Sequence, residues 1–133
     1  MKPIKAIAHT LFIVVGLSSC TPKMTFLNST IAPAATGGVS VKKDKNNNYI
    51  LNVNVMNLAE PKQLTPAKET YVVWMESDES SVKKLGQIAP RSKALKGELK
   101  TTSTEKPKEV YITAENDATV TYPAGDIILT TKR

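Results

Sequence analysis

Histidine and cysteine are almost missing from this chain of 133 residues. Each occurs once, at His9 and Cys20. Beyond residue 20 there is neither an imidazole nor a thiol. That excludes Ser-His-Asp and Cys-His catalysis from the remainder, because both need a base that titrates near neutral pH. It also excludes the usual zinc sites, which draw on Cys and His ligands. Aromatic residues make up only 5% of the chain. There is no basic helix and no interleaving of aromatic with basic residues, so no nucleic-acid partner is expected. No run reaches the roughly 20 apolar residues a membrane-spanning helix needs. No acidic stretch has the spacing of a calcium loop. No cofactor and no metal are expected.

What is present begins with the N-terminal stretch. Lys2 and Lys5 make a basic start, and Ala6 to Leu17 is mostly apolar, interrupted by His9 and Thr10. Leu17-Ser18-Ser19-Cys20 closes the stretch, with two small residues before the only cysteine. This is the layout of a secretory signal. The last four residues resemble the lipobox of bacterial lipoproteins. The resemblance implies cleavage between Ser19 and Cys20 and acylation of Cys20, giving a membrane partner reached through lipid. Residues 1–19 are then signal peptide. Thr21 is not acidic, and Thr21 to Asn28 lacks the acidic cluster of surface-export signals in Bacteroidota. Both features favour an outer-membrane lipoprotein facing the periplasm.

Residues 20–38 read as a tether, because Pro22, Pro33, the Asn28-Ser29-Thr30 cluster and Gly37-Gly38 interrupt any period. The folded domain is expected over 39–133. Val39 and Val41 alternate with polar residues, and Asp44 to Asn48 is a turn. Leu51, Val53 and Val55 point one way and Asn52 and Asn54 the other, which is a half-buried strand. Pro61 and Pro66 mark a connection, with Leu58 and Leu64 as anchors and a helical turn after Thr65. Tyr71-Val72-Val73-Trp74-Met75 is apolar on both faces and predicts a central strand covered on both sides. Val82 to Ile88 is its partner, with Gly86 suited to a bulge or a close approach. Further strands are predicted from Leu95, over Glu109 to Glu115, at Thr119 to Tyr122 and over Ile127 to Thr130. About seven short strands at roughly 8–12-residue spacing predict an all-β, immunoglobulin-like antiparallel β-sandwich.

Tyr71 to Met75, then Leu85-Gly86-Gln87-Ile88, then a Pro-Gly turn before a final apolar strand, resemble the extracytoplasmic β-sandwich domain of anti-sigma-K-type factors. The resemblance implies a fold and a place. Those factors also carry a cytoplasmic sigma-binding domain and a spanning helix, neither of which this chain has, so sigma binding does not carry over.

Trp74 and Tyr71 are expected in the core, and the competing role is a stacking platform for sugars. Two groups of carboxylates invite comparison with glycosidases: Glu76, Asp78 and Glu79 at one turn, Glu115 and Asp117 at another. Both groups sit where a soluble turn is the simpler explanation. The net charge is +6, with the lysines spread among acids, which fits a solvated surface or attraction to anionic envelope polymers or headgroups. No catalytic residues are expected and the protein is not expected to be an enzyme. The function predicted is a lipid-anchored envelope module that binds or supports another envelope protein or a glycan. The alternatives are a sensor subunit of an envelope-signalling assembly and a small carboxylate-based glycan-active enzyme.

Overall fold

A computed structural model describes residues 23–132. They form eight strands: β1 (Lys23–Thr25), β2 (Thr36–Lys43), β3 (Tyr49–Met56), β4 (Thr70–Ser77), β5 (Val82–Ile88), β6 (Gly97–Ser103), β7 (Pro107–Glu115) and β8 (Ile127–Thr130). Every neighbouring pair is antiparallel. One sheet has the order β1-β2-β3-β6 and the other β5-β4-β7-β8. The chain crosses between sheets after β3, β5 and β6, the Greek-key path of immunoglobulin-like sandwiches.

The alternation in the sequence sets which residues face inward. Val39, Val41, Leu51, Val53 and Val55 project from the first sheet into the core. Tyr71, Val73, Met75, Val110, Ile112 and Ala114 meet them from the second. Side chains one residue apart on a strand point to opposite faces, so Ser40, Asn52 and Asn54 lie on the outer face of the first sheet. Burying one such aliphatic side chain contributes roughly 1.5–3 kcal/mol, and the inner faces hold most of the protein's large apolar groups.

The tether expectation fails for residues 23–38. Lys23–Thr25 pairs with β2, and Phe26, Ala32 and Ala35 are buried in the core. Gly37 and Gly38 do not break the chain; they lie inside β2. A Cβ on Gly38 would stand 2.5 Å from the Met24 carbonyl oxygen. The glycine pair is therefore what lets β1 and β3 close on β2. Cys20 and the signal stretch lie outside the described residues.

Two smaller expectations also give way. The helical turn is a 3₁₀ turn at Pro61–Gln63, ahead of Thr65. Thr119 to Tyr122 is irregular, and Val120 packs against the outer face of the second sheet. Gly86 does what its position predicted. Val73 faces Gly86 and Trp74 faces Lys84, leaving Leu85 as a bulge. Gly86 has φ +150°, and a Cβ there would press on the Leu99 side chain of β6 at 3.2 Å. The two edge strands β5 and β6 approach each other at this point.

Tyr71 joins core and connection. Its ring is fully buried, and its Oη donates to the Ala59 carbonyl at 2.5 Å. Burial pushes its phenol from 10 up to about 12. A raised folded-state value means the ionised form is reached first in the unfolded chain. The stability it confers is therefore complete below pH 10 and is lost as pH rises towards about 12. Tyr71→Phe is expected to cost about 1 kcal/mol at neutral pH and to flatten the loss of stability above pH 10. Urea unfolding of both proteins across that range measures both effects.

Candidate functional site

Trp74 and Tyr71 are brought into the protein, not onto its surface. Both are fully buried, so neither offers a stacking platform. They lie on opposite faces of β4. Tyr71 belongs to the core between the sheets. Trp74 belongs to a second apolar cluster with Val72 and Tyr111 on the outer face of the second sheet. Val82 and Val120 pack against it.

Val120 comes from the segment between β7 and β8, which lies over this face like a strap. Glu115, the last residue of β7, holds the strap down. The Glu115 carboxylate is 2% exposed. Its Oε2 accepts from the Thr113 hydroxyl at 2.5 Å and from the backbone N–H groups of Ala124 and Gly125 at 3.2 and 3.1 Å. The Thr113 hydroxyl in turn accepts from Trp74 Nε1 at 2.8 Å. Indole, hydroxyl and carboxylate form one relay from β4 through β7 to the strap. A buried carboxylate is costly unless it accepts hydrogen bonds, and three donors converge on one of its oxygens here. Lys84 Nζ adds a bond from β5 to the Ala118 carbonyl at 2.5 Å. Within the strap, the Thr119 N–H and hydroxyl both donate to Asp117 at 2.8 Å and hold that carboxyl below its usual range. Burial, with the charges of Glu109, Tyr122 and Glu76, raises the Tyr111 phenol.

Three of the five carboxylates noted in the sequence, Asp78, Glu115 and Asp117, have other engagements. Glu115 clamps the strap and Asp117 caps a turn. Asp78 lies 4.0 Å from Lys106, and the Glu79 N–H is taken by Ser77 Oγ at 3.2 Å. Glu76 faces Glu109 across the β4–β7 ladder, and Glu109 accepts from the Thr130 hydroxyl at 2.8 Å. Among the described residues no three Asp, Glu, His or Cys converge as a metal site. The Ser81 hydroxyl, at 2.8 Å, is the chief cause that holds the half-buried Glu105 low, with Lys83 at 3.4 Å assisting.

Shallow grooves also mark the surface, two of them lined by charged side chains of both signs. One, of about 510 Å³, runs along the β1–β8 edge between Lys23, Lys108, Lys132, Glu76 and Glu109. The other, of about 860 Å³, lies at the end of the sandwich beside Met56, Gln87, Arg91, Lys96 and Glu98.

The first sheet differs from the second. Its strands carry Lys23, Lys42, Lys43 and Lys100 against a single carboxylate, Glu98. The strands of the second sheet carry Lys83, Lys84 and Lys108 against Glu76, Glu109 and Glu115. Register places Lys23, Ser40, Asn52 and Lys100 in one rank across all four strands of the first sheet. Sequence reading identified the strands but not this rank, because it depends on pairing between residues far apart in the chain. The Glu115 clamp was missed for the same reason.

No family model, no curated protein and no solved structure matches the chain.

The strap makes a sharp prediction. Glu115→Ala leaves the Thr113 hydroxyl and two backbone N–H groups without an acceptor, and is expected to cost about 2–4 kcal/mol. Trp74 is the only tryptophan. Its emission should shift to the red as the strap lifts, and amide exchange at Ala124 and Gly125 should accelerate. Unchanged exchange at those two amides would show that Glu115 does not hold the strap.

Proposed function

We propose that this protein is a lipid-anchored lipoprotein of the bacterial envelope, acylated at Cys20, whose β-sandwich is a non-catalytic module that binds or supports another envelope component. The observation that carries the proposal is the Leu17-Ser18-Ser19-Cys20 stretch at the end of a basic-then-apolar leader. The leader is read as a signal and not as a membrane span because its apolar run falls short of the roughly 20 residues a spanning helix needs. Buried acyl chain contributes ~0.8 kcal/mol per CH₂, and two or more chains give stable attachment where one is reversible.

The buried aromatics and engaged carboxylates support a module that works by its surface. A sensor subunit of an envelope-signalling assembly is the second reading. It is favoured by one observation: Tyr71 to Met75 and Leu85 to Ile88, the stretches that resemble anti-sigma-K-type domains, are paired neighbours in one sheet. Outer-membrane placement facing the periplasm follows from Thr21 and the absence of an acidic cluster after it.

Cys20→Ala is expected to abolish labelling by a fatty-acid probe and to release the protein from the membrane fraction. Unaltered labelling of the variant in intact cells would overturn the anchor.

A further inference from the structure

We propose that the outer face of the β1-β2-β3-β6 sheet, around the rank Lys23–Ser40–Asn52–Lys100, is a docking face for an anionic lipid headgroup surface. The proposal rests on the anchor at Cys20 and adds to it an orientation.

Three independent observations converge on this face. The first is charge. Three of the four lysines on the strands of this sheet stand on its outer face with Glu98 as the one carboxylate beside them, while the strands of the other sheet are balanced. Lys42 lies in the next rank, opposite Ile50, so Lys23, Lys42 and Lys100 share one side of the sheet. The ion pairs among the described residues are Lys83–Glu105 and Lys106–Asp78, and neither involves these three. The second is cover. The strap from β7 to β8 occupies the outer face of the second sheet, closing over Trp74. The first sheet has no such cover among the described residues, and presents Ser40, Asn52, Asn54 and Thr102 between its lysines. Hydroxyls, amides and ammonium groups on a flat face suit phosphate and glycerol oxygens. The third is where the chain leads. Lys23 lies in the edge strand of this sheet, three residues after Cys20. Three residues reach at most about 10 Å. Acyl chains at Cys20 therefore hold the β1 edge within about one Debye length of the headgroups at physiological salt.

A lysine near an anionic membrane surface strengthens association by roughly fivefold. Three of them are enough to choose which face of a tethered sandwich turns toward the bilayer. Lys62, Lys93 and Lys96 stand on the connections at the far end of the sandwich and serve as a control.

The test uses the lipidated protein purified from membranes and reconstituted into vesicles of zwitterionic lipid, with or without a phosphatidylglycerol-type lipid. Amine-reactive labelling followed by mass spectrometry reads each lysine. Labelling of Lys23, Lys42 and Lys100 is expected to fall several-fold on the anionic vesicles and to recover in high salt, while Lys62, Lys93 and Lys96 stay unchanged. Lys23→Gln/Lys42→Gln/Lys100→Gln should lose several-fold of the salt-sensitive preference for anionic over zwitterionic vesicles. Lys62→Gln/Lys93→Gln/Lys96→Gln should not. Thermal melts of both variants check that the fold is kept. Equal labelling of the two groups on both vesicles would overturn the docking face, as would protection by a soluble anionic polysaccharide and not by vesicles. The intact mass of the same preparation reports acylation separately. An acylated protein with uniform labelling keeps the anchor and loses the face. An unacylated protein that shows the protection loses the anchor and keeps the face.

Discussion

Strands β4 and β7 are buried on both faces, and the rest of the sandwich answers that constraint. Tyr71 through Met75 are all buried, and so are Val110 through Glu115. One face is covered in the ordinary way, by the valines and leucine of the opposite sheet. The other face, carrying Val72, Trp74 and Tyr111, needs a cover of its own. The chain supplies it from the segment after β7, and the cover has few apolar groups with which to hold itself. Glu115 solves this with hydrogen bonds. One carboxylate oxygen, screened from water, collects a hydroxyl and two backbone N–H groups. Charge-assisted bonds of this kind are roughly twice as strong as neutral ones. They also give partners to two part-buried backbone amides.

The strands themselves could be read from the sequence because each is local. Tyr49 to Leu58 alternates, Tyr71 to Met75 is continuous, and Gly86 marks the close approach at the β5 bulge. These are properties of a few consecutive residues, and tertiary structure did not override them. The errors share a cause. Gly37-Gly38, Pro33 and the Asn-Ser-Thr cluster look like breakers when only their own neighbours are considered. In the fold, Gly37-Gly38 makes room for two flanking backbones, and the stretch before it carries Phe26, Ala32 and Ala35 into the core. Thr119 to Tyr122 alternates like a strand, but no strand edge lies beside it to pair with, and Val120 is used as a plug instead. Glu115 could not be distinguished in sequence from any carboxylate at a strand end. What sets it apart is a turn nine and ten residues later whose amides point back at it.

If Cys20 carries lipid as proposed, the loss of the tether changes what such an anchor would do. A long flexible linker would leave a domain indifferent to the orientation of its faces, since the lipid would fix only its distance from the bilayer. Here pairing of β1 with β2 begins at Lys23, so on the anchored reading only Thr21 and Pro22 separate the acylated residue from the sheet. A link that short carries orientation as well as position.

Orientation then gives meaning to the unequal treatment of the two sheets. A strap over one outer face costs chain length and ordering entropy, and it is the face balanced in charge that receives it. The other outer face stays polar, basic and open, on the sheet into which the N-terminal chain leads. Asn52, Asn54 and Ser40 have no place in a core, and alternation puts them opposite the residues that make it. Their strands are thus doubly constrained: valine and leucine inward to meet β4 and β7, amide and hydroxyl outward. Exchanging the two patterns by a one-residue slip would bury the asparagines and expose the valines. The same register that closes the core therefore sets Lys23, Ser40, Asn52 and Lys100 in one rank. The surface and the core of this sheet are fixed together, and a change in the pairing of β1, β2, β3 or β6 cannot move one without the other.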